Sequence, residues 1–140
     1  MSGPTIILGI PLMDEDHAVL ESLLMQAAAI DDAGLQDLLD HIEAETRAHF
    51  RREEDLMREA ALTVLPCHMM QHEMFLAQFR HGYMPLKQGD LIGARSFLID
   101  KLPAILSRHI STADRVAAGM LMTSRIQNLS CSSTVGTARD

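Results

Sequence analysis

The chain has 140 residues, 47% of them hydrophobic, with a formal net charge of −7. That length and apolar content suit one domain with a real core. The acidic balance and the lack of any basic run argue against nucleic acid or an anionic membrane surface as a partner. Leu, Ala, Met and Ile dominate the apolar set, Trp is absent and there is one Tyr. Good helix formers without strand signals predict an all-α fold.

The opening apolar run, Ile6 to Ile10, has no charged leader and is broken by Gly9 and Pro11, so it reads as neither a signal peptide nor a membrane span. Two cysteines, Cys67 and Cys131, form no disulfide framework and are expected as reduced cytoplasmic thiols. An N-terminal arm is expected over about residues 1–13.

The first helix is predicted across "MDEDHAVLESLLMQAAAI", with Asp14 as candidate N-cap and Leu20, Leu23, Leu24 and Ala27 at helical spacing. Gly34 is its candidate stop, and Asp31 or Asp32 can cap the next helix. A second helix spans about Leu35 to Ala61, with Leu38, Leu39, Ile42, His49, Glu53, Leu56 and Met57 at three- and four-residue steps. "LTVLP" breaks it, and Pro66 suits the first turn of a third helix, where its missing N–H would be unpaired anyway. That helix carries His68, His72, Phe75 and Phe79 and closes at "MPLKQGD". The fourth runs from about Asp90 to Gln127, with Pro103 predicting a kink or local break. Short connections imply an up-down-up-down antiparallel four-helix bundle over residues 1–127. The polar tail "NLSCSSTVGTARD", residues 128–140, is expected to be disordered.

The histidines then line up. His17 lies in helix one, His49 and Glu53 form H-x3-E on helix two, His68 and His72 form H-x3-H on helix three, and His109 and Asp114 form H-x4-D on helix four. A four-residue step advances about 400°, so such a pair shares a face within about 40°. A single pair of this kind is usually a surface coincidence. Burying five imidazoles and two carboxylates together is costly unless something compensates them, and a metal cluster does. The five-residue step from His109 to Asp114 puts the two about 140° apart on a regular helix, so a local π-type turn is predicted there.

The order H … H-x3-E … H-x3-H … H-x4-D, with its flanks "GIPLMDEDH", "HFRREEDLM", "HMMQHEMF" and "RHISTAD", resembles the hemerythrin family, above all its single-domain bacterial members, over roughly residues 8–120. The resemblance implies a non-haem di-iron centre inside the bundle. By motif position His68, His72 and His109 would bind one iron, His17 and His49 the other, and Glu53 and Asp114 would bridge both beside an oxo or hydroxo group. One iron would then be six-coordinate and the other five-coordinate, with an open position for O2. Leu20, Ile105, Leu106 and Ile110 would wall that position with apolar groups that donate no proton. Many members carry Trp where Ile105 stands, and Tyr-Pro where Leu62-Thr63 stands.

The implied function is reversible O2 binding for storage, transport or delivery, without catalysis. NO and small anions such as azide are further candidate ligands. The alternatives are an O2, NO or redox sensor working through a partner protein, and a di-iron redox enzyme. Ferritin-like oxidases use carboxylate-rich ligation, whereas this set has five histidines and two carboxylates. Zinc, which prefers closed tetrahedral sites, fits seven ligands poorly. His41 and Glu45 continue the four-residue series of His49 and Glu53 and read either as outer neighbours of the ligands or as a salt-bridged helix edge, the latter preferred. His81 reads as surface, Cys67 should point about 100° away from its ligand neighbour, and the methionines read as packing. Arg51 and Arg52 are expected to face solvent.

Overall fold

The computed structural model describes the backbone of residues 6–136 and the side chains of residues 6–127. Among these residues the elements are helical: α1 (Pro11–Gln26), a 3₁₀ turn (Asp32–Gly34), α2 (Leu35–Glu59), α3 (Leu65–Lys87), and then α4 (Leu91–Ser96), α5 (Leu102–His109) and α6 (Arg115–Gly136). The last three are joined by π-helical turns at Phe97–Lys101 and Ile110–Asp114 into one long rod. α1 packs on α2, α2 on α3, and α3 on α4 and α5, while α1 meets the first π turn and closes the ring. This is the expected all-α four-helix bundle. No helix among the described residues is long and apolar enough to cross a membrane.

The start of α1 differs from the expectation. Pro11 occupies the first turn, so the helix begins three residues before Asp14, and Ile10 caps it without a side-chain bond. The Asp14 carboxylate instead accepts from the backbone N–H groups of Leu8 and Gly9, at 2.9 and 3.0 Å. That clamp holds the arm against the bundle and buries Ile10. Gly9 is required there: its φ is +90°, and a Cβ would stand 2.2 Å from Met122 Cε. Between α1 and α2, Asp31 caps the 3₁₀ turn, accepting from the Gly34 N–H, whereas α2 itself starts after Gly34 with no side-chain cap, so neither Asp31 nor Asp32 caps it.

Pro103 produces a wide turn. In the π turn before it, the Leu102 N–H bonds to the Phe97 carbonyl, five residues back. The enlarged turn makes room for the pyrrolidine ring, which would otherwise crowd the carbonyl four residues earlier. Pro85 lies inside α3 near its end, so "MPLKQGD" closes that helix only after Lys87. The backbone of the tail segment is helical as far as Gly136; residues 137–140 and the side chain of Cys131 lie outside the described residues.

Two apolar cores result. The larger holds Leu20, Leu23, Leu35, Leu39, Phe75, Phe79, Phe97, Leu98 and Leu106 among others, and the smaller holds Ile10, Met13, Ala118 and Leu121. Along α1 the order is Met13, His17, Leu20; along the rod it is Leu106, His109, Asp114, Ala118. A buried polar layer therefore separates the two cores.

Candidate metal centre

That layer contains all seven sequence-predicted residues. His17, His49, Glu53, His68, His72, His109 and Asp114 are each buried, with Glu53 and Asp114 at 0% exposure. They form two groups. Glu53, His68, His72, His109 and Asp114 each offer a ligand atom within 4.8 Å of the others, and His17, His49, Glu53 and Asp114 do the same. The two carboxylates are common to both groups. One group has three imidazoles, the other two.

Local structure explains the convergence. His49 and Glu53 share one face of α2, with His49 Nε2 3.1 Å from Glu53 Oε2. His68 and His72 share one face of α3, and both present Nε2 to Glu53 Oε1. The five-residue step on the rod is closed by the π turn Ile110–Asp114, in which the Arg115 N–H bonds to the Ile110 carbonyl. It brings Asp114 Oδ1 within 3.0 Å of His109 Nε2 and 3.2 Å of His68 Nε2. His17 completes the ring, with Nε2 3.0 Å from Asp114 Oδ2.

Electrostatics set the protonation of these residues. Burial pulls His49 and His68 toward neutrality, but hydrogen bonds to carboxylates outweigh it. His49 is raised to about 9 by Asp16 and Glu53, and His68 to about 9 by Asp114 and Glu53. Burial pushes Glu53 and Asp114 up, and the surrounding imidazoles overcome this and hold both carboxyls well below the usual range. Even so, five buried atoms make no well-directed hydrogen bond: His17 Nδ1, and the facing pairs His49 Nε2 with Glu53 Oε2 and His109 Nε2 with Asp114 Oδ1, which meet at 3.1 and 3.0 Å as ion pairs. Poorly directed polar contacts at buried positions recover only part of the cost of taking these groups out of water. A cation at each group would engage the inward lone pairs and balance the two carboxylates, so the donor set fits bound metal.

Several contributors were not anticipated. Asp16 accepts from His49 Nδ1 at 3.0 Å and is itself gripped by Arg52, whose side chain stays 41% exposed while its guanidinium pairs across to α1. Burial raises the Asp16 carboxyl, but the His49 and Arg52 bonds outweigh this and hold it at about 2. Glu54 accepts from His72 Nδ1 at 2.8 Å. Phe50 stacks on His72, with ring centroids 3.8 Å apart and planes 7° from parallel. The available signal was position: Asp16 adjoins His17, and Glu54 adjoins Glu53. Leu20, Leu106 and Ile110 are buried in the larger core, and Ile105 is half-buried against it. Arg51, His41, His81 and Cys67 are exposed, and Glu45 is half-buried.

Fold and site together define a four-helix bundle with a buried histidine and carboxylate cluster built to hold cations. The model of the hemerythrin HHE cation-binding domain matches residues 8–121, and the chain belongs to the hemerythrin family. It is 31% identical over 109 residues to a bacteriohemerythrin of Ralstonia nicotianae, covering 78% of this chain and 79% of that one. It is 31% identical over 110 residues to myohemerythrin-1 of Phascolopsis gouldii, covering 79% and 83%. A bacteriohemerythrin of Stenotrophomonas maltophilia is 27% identical over 119 residues, covering 79% and 74%. No solved structure matches significantly.

Proposed function

We propose that the chain is an O2-binding protein that carries two iron ions with an oxo or hydroxo bridge and performs no catalysis. His68, His72 and His109 would hold one iron, His17 and His49 would hold the other, and Glu53 and Asp114 would serve both. The observation that carries this reading is the pairing of two ligand groups that share both carboxylates but differ by one imidazole. The richer group would fill more of an iron's positions, and the poorer one would leave a place for a small ligand. When bound, the iron pair supplies the electrons that O2 binding draws on.

The chain's own residues govern the rest. Both bridging carboxylates are fully buried, so their charge stays at the centre. Leu20, Ile105, Leu106 and Ile110 wall the open side, keep water out and offer no proton, which favours release of the ligand over its consumption. NO and azide are small enough to enter the same place. Storage, transport or delivery of O2 follows from reversibility.

The test is an optical spectrum of anaerobically reduced, iron-loaded protein, before air, after air and after degassing. The expected result is two irons per chain and a visible band that appears with O2 and fades on its removal. A band that persists after degassing, or protein that holds no iron, contradicts the proposal.

A further inference from the structure

We propose that Asp16 and Arg52 are positioning residues for one metal position only, the one served by His17 and His49. The inference rests on the two-metal reading above. Asp16 accepts from His49 Nδ1 at 3.0 Å. That bond fixes a proton on Nδ1 and turns Nε2 toward the cluster, 3.1 Å from Glu53 Oε2. Arg52 then fixes Asp16: its Nε donates to Oδ2 at 2.9 Å and its Nη2 to Oδ1 at 2.8 Å. Both carboxylate oxygens are engaged, so the acceptor cannot turn away from the imidazole.

The arrangement gives α1 a double role. It supplies one nitrogen directly through His17 and orients the other through the preceding residue, Asp16. The richer position is built differently. His72 donates to Glu54, which comes from α2, and no Arg or Lys pairs with Glu54 among the described residues. The two positions therefore depend on separate outer carboxylates, one braced by a guanidinium whose side chain is 41% exposed. Perturbing Asp16 or Arg52 should weaken one metal and spare the other.

The experiment follows transfer of ferrous iron from anaerobic, fully loaded protein to a colorimetric chelator. Asp16→Ala should speed release of one of the two irons by about 10–100-fold, the usual cost of losing an outer partner of a ligating histidine, and leave the other unchanged. Asp16→Asn should restore most of the wild-type rate, because the amide oxygen still accepts from Nδ1–H. Arg52→Gln should speed the same iron by a smaller factor, and it decides the matter if Asp16→Ala does not fold. Glu54→Ala should speed the other iron instead. Unaltered release in Asp16→Ala and Arg52→Gln, or equal acceleration of both irons, would overturn the inference while leaving two-iron binding intact. Wild-type protein with fewer than two irons would overturn the two-metal reading and this inference with it.

Discussion

Stripping the metal should make stability strongly dependent on pH, in a direction the cluster dictates. In the metal-free protein His49 and His68 are held up to about 9 from an ordinary value of 6.5. A raised histidine contributes stability that is complete below the unfolded value and is lost as pH rises through the folded one. The loss therefore falls between pH 6.5 and about 9. A tenfold change in proton affinity corresponds to about 1.4 kcal/mol, so one such histidine contributes about 3 kcal/mol. Both lean on Glu53 and Asp114, so together they contribute less than twice that. The carboxylates act on the other side. Glu53, Asp114 and Asp16 are depressed, and their contribution is present above 4.5 and lost as pH falls through their folded values. Metal-free protein should be most stable between pH 4.5 and 6.5. Its melting temperature should then fall by roughly 10 °C or more on going to pH 9. Calorimetry of chelator-treated protein across that range checks this, with iron-loaded protein, whose histidines are committed as neutral ligands, as the flat control. A melting temperature of the metal-free form that does not move between pH 6.5 and 9 would refute the electrostatic account of the cluster.

His49→Ala should hold about half the wild-type iron, because it removes one of only two imidazoles at the poorer position; two irons per chain in that variant would break the assignment. Gly82→Ala should destabilise by about 1–3 kcal/mol in urea, since its Cβ would stand 2.2 Å from the Phe97 ring; an unchanged midpoint would show that the ring can retreat. Ile105→Trp should slow azide association severalfold in stopped-flow mixing, and an unchanged rate would remove Ile105 from the wall of the open position.

The sequence carried the site further than it carried the packing around it. His49 with Glu53 and His68 with His72 sit at four-residue steps, and helical geometry alone puts such pairs on one face. The exception, His109 to Asp114, announced itself as a five-residue step, and the π turn Ile110–Asp114 is there. What local pattern could not show was which helix face docks on which. Asp16 meets His49 across 33 residues of sequence and Arg52 across 36, so their partnership exists only once α1 lies on α2. Arg52 read as a solvent-facing charge, and its side chain is 41% exposed, but its ion pair with Asp16 could not be read from a charged helix segment. Asp14 looked like a helix cap because its residue type is favoured there, but Pro11 could start the helix earlier, and the carboxylate then served the arm. Pro103 signalled a break correctly in place but not in kind: the rod absorbs it with a wide turn and continues.

Direct measurement of O2 uptake tests the central claim most sharply. Reduced, iron-loaded protein would be exposed to a known amount of O2, and free O2 recorded through repeated cycles of exposure and removal. The account predicts uptake of one O2 for every pair of irons, recovered in full at each removal. O2 that is consumed and not returned, or uptake that does not scale with the iron pair, would contradict it.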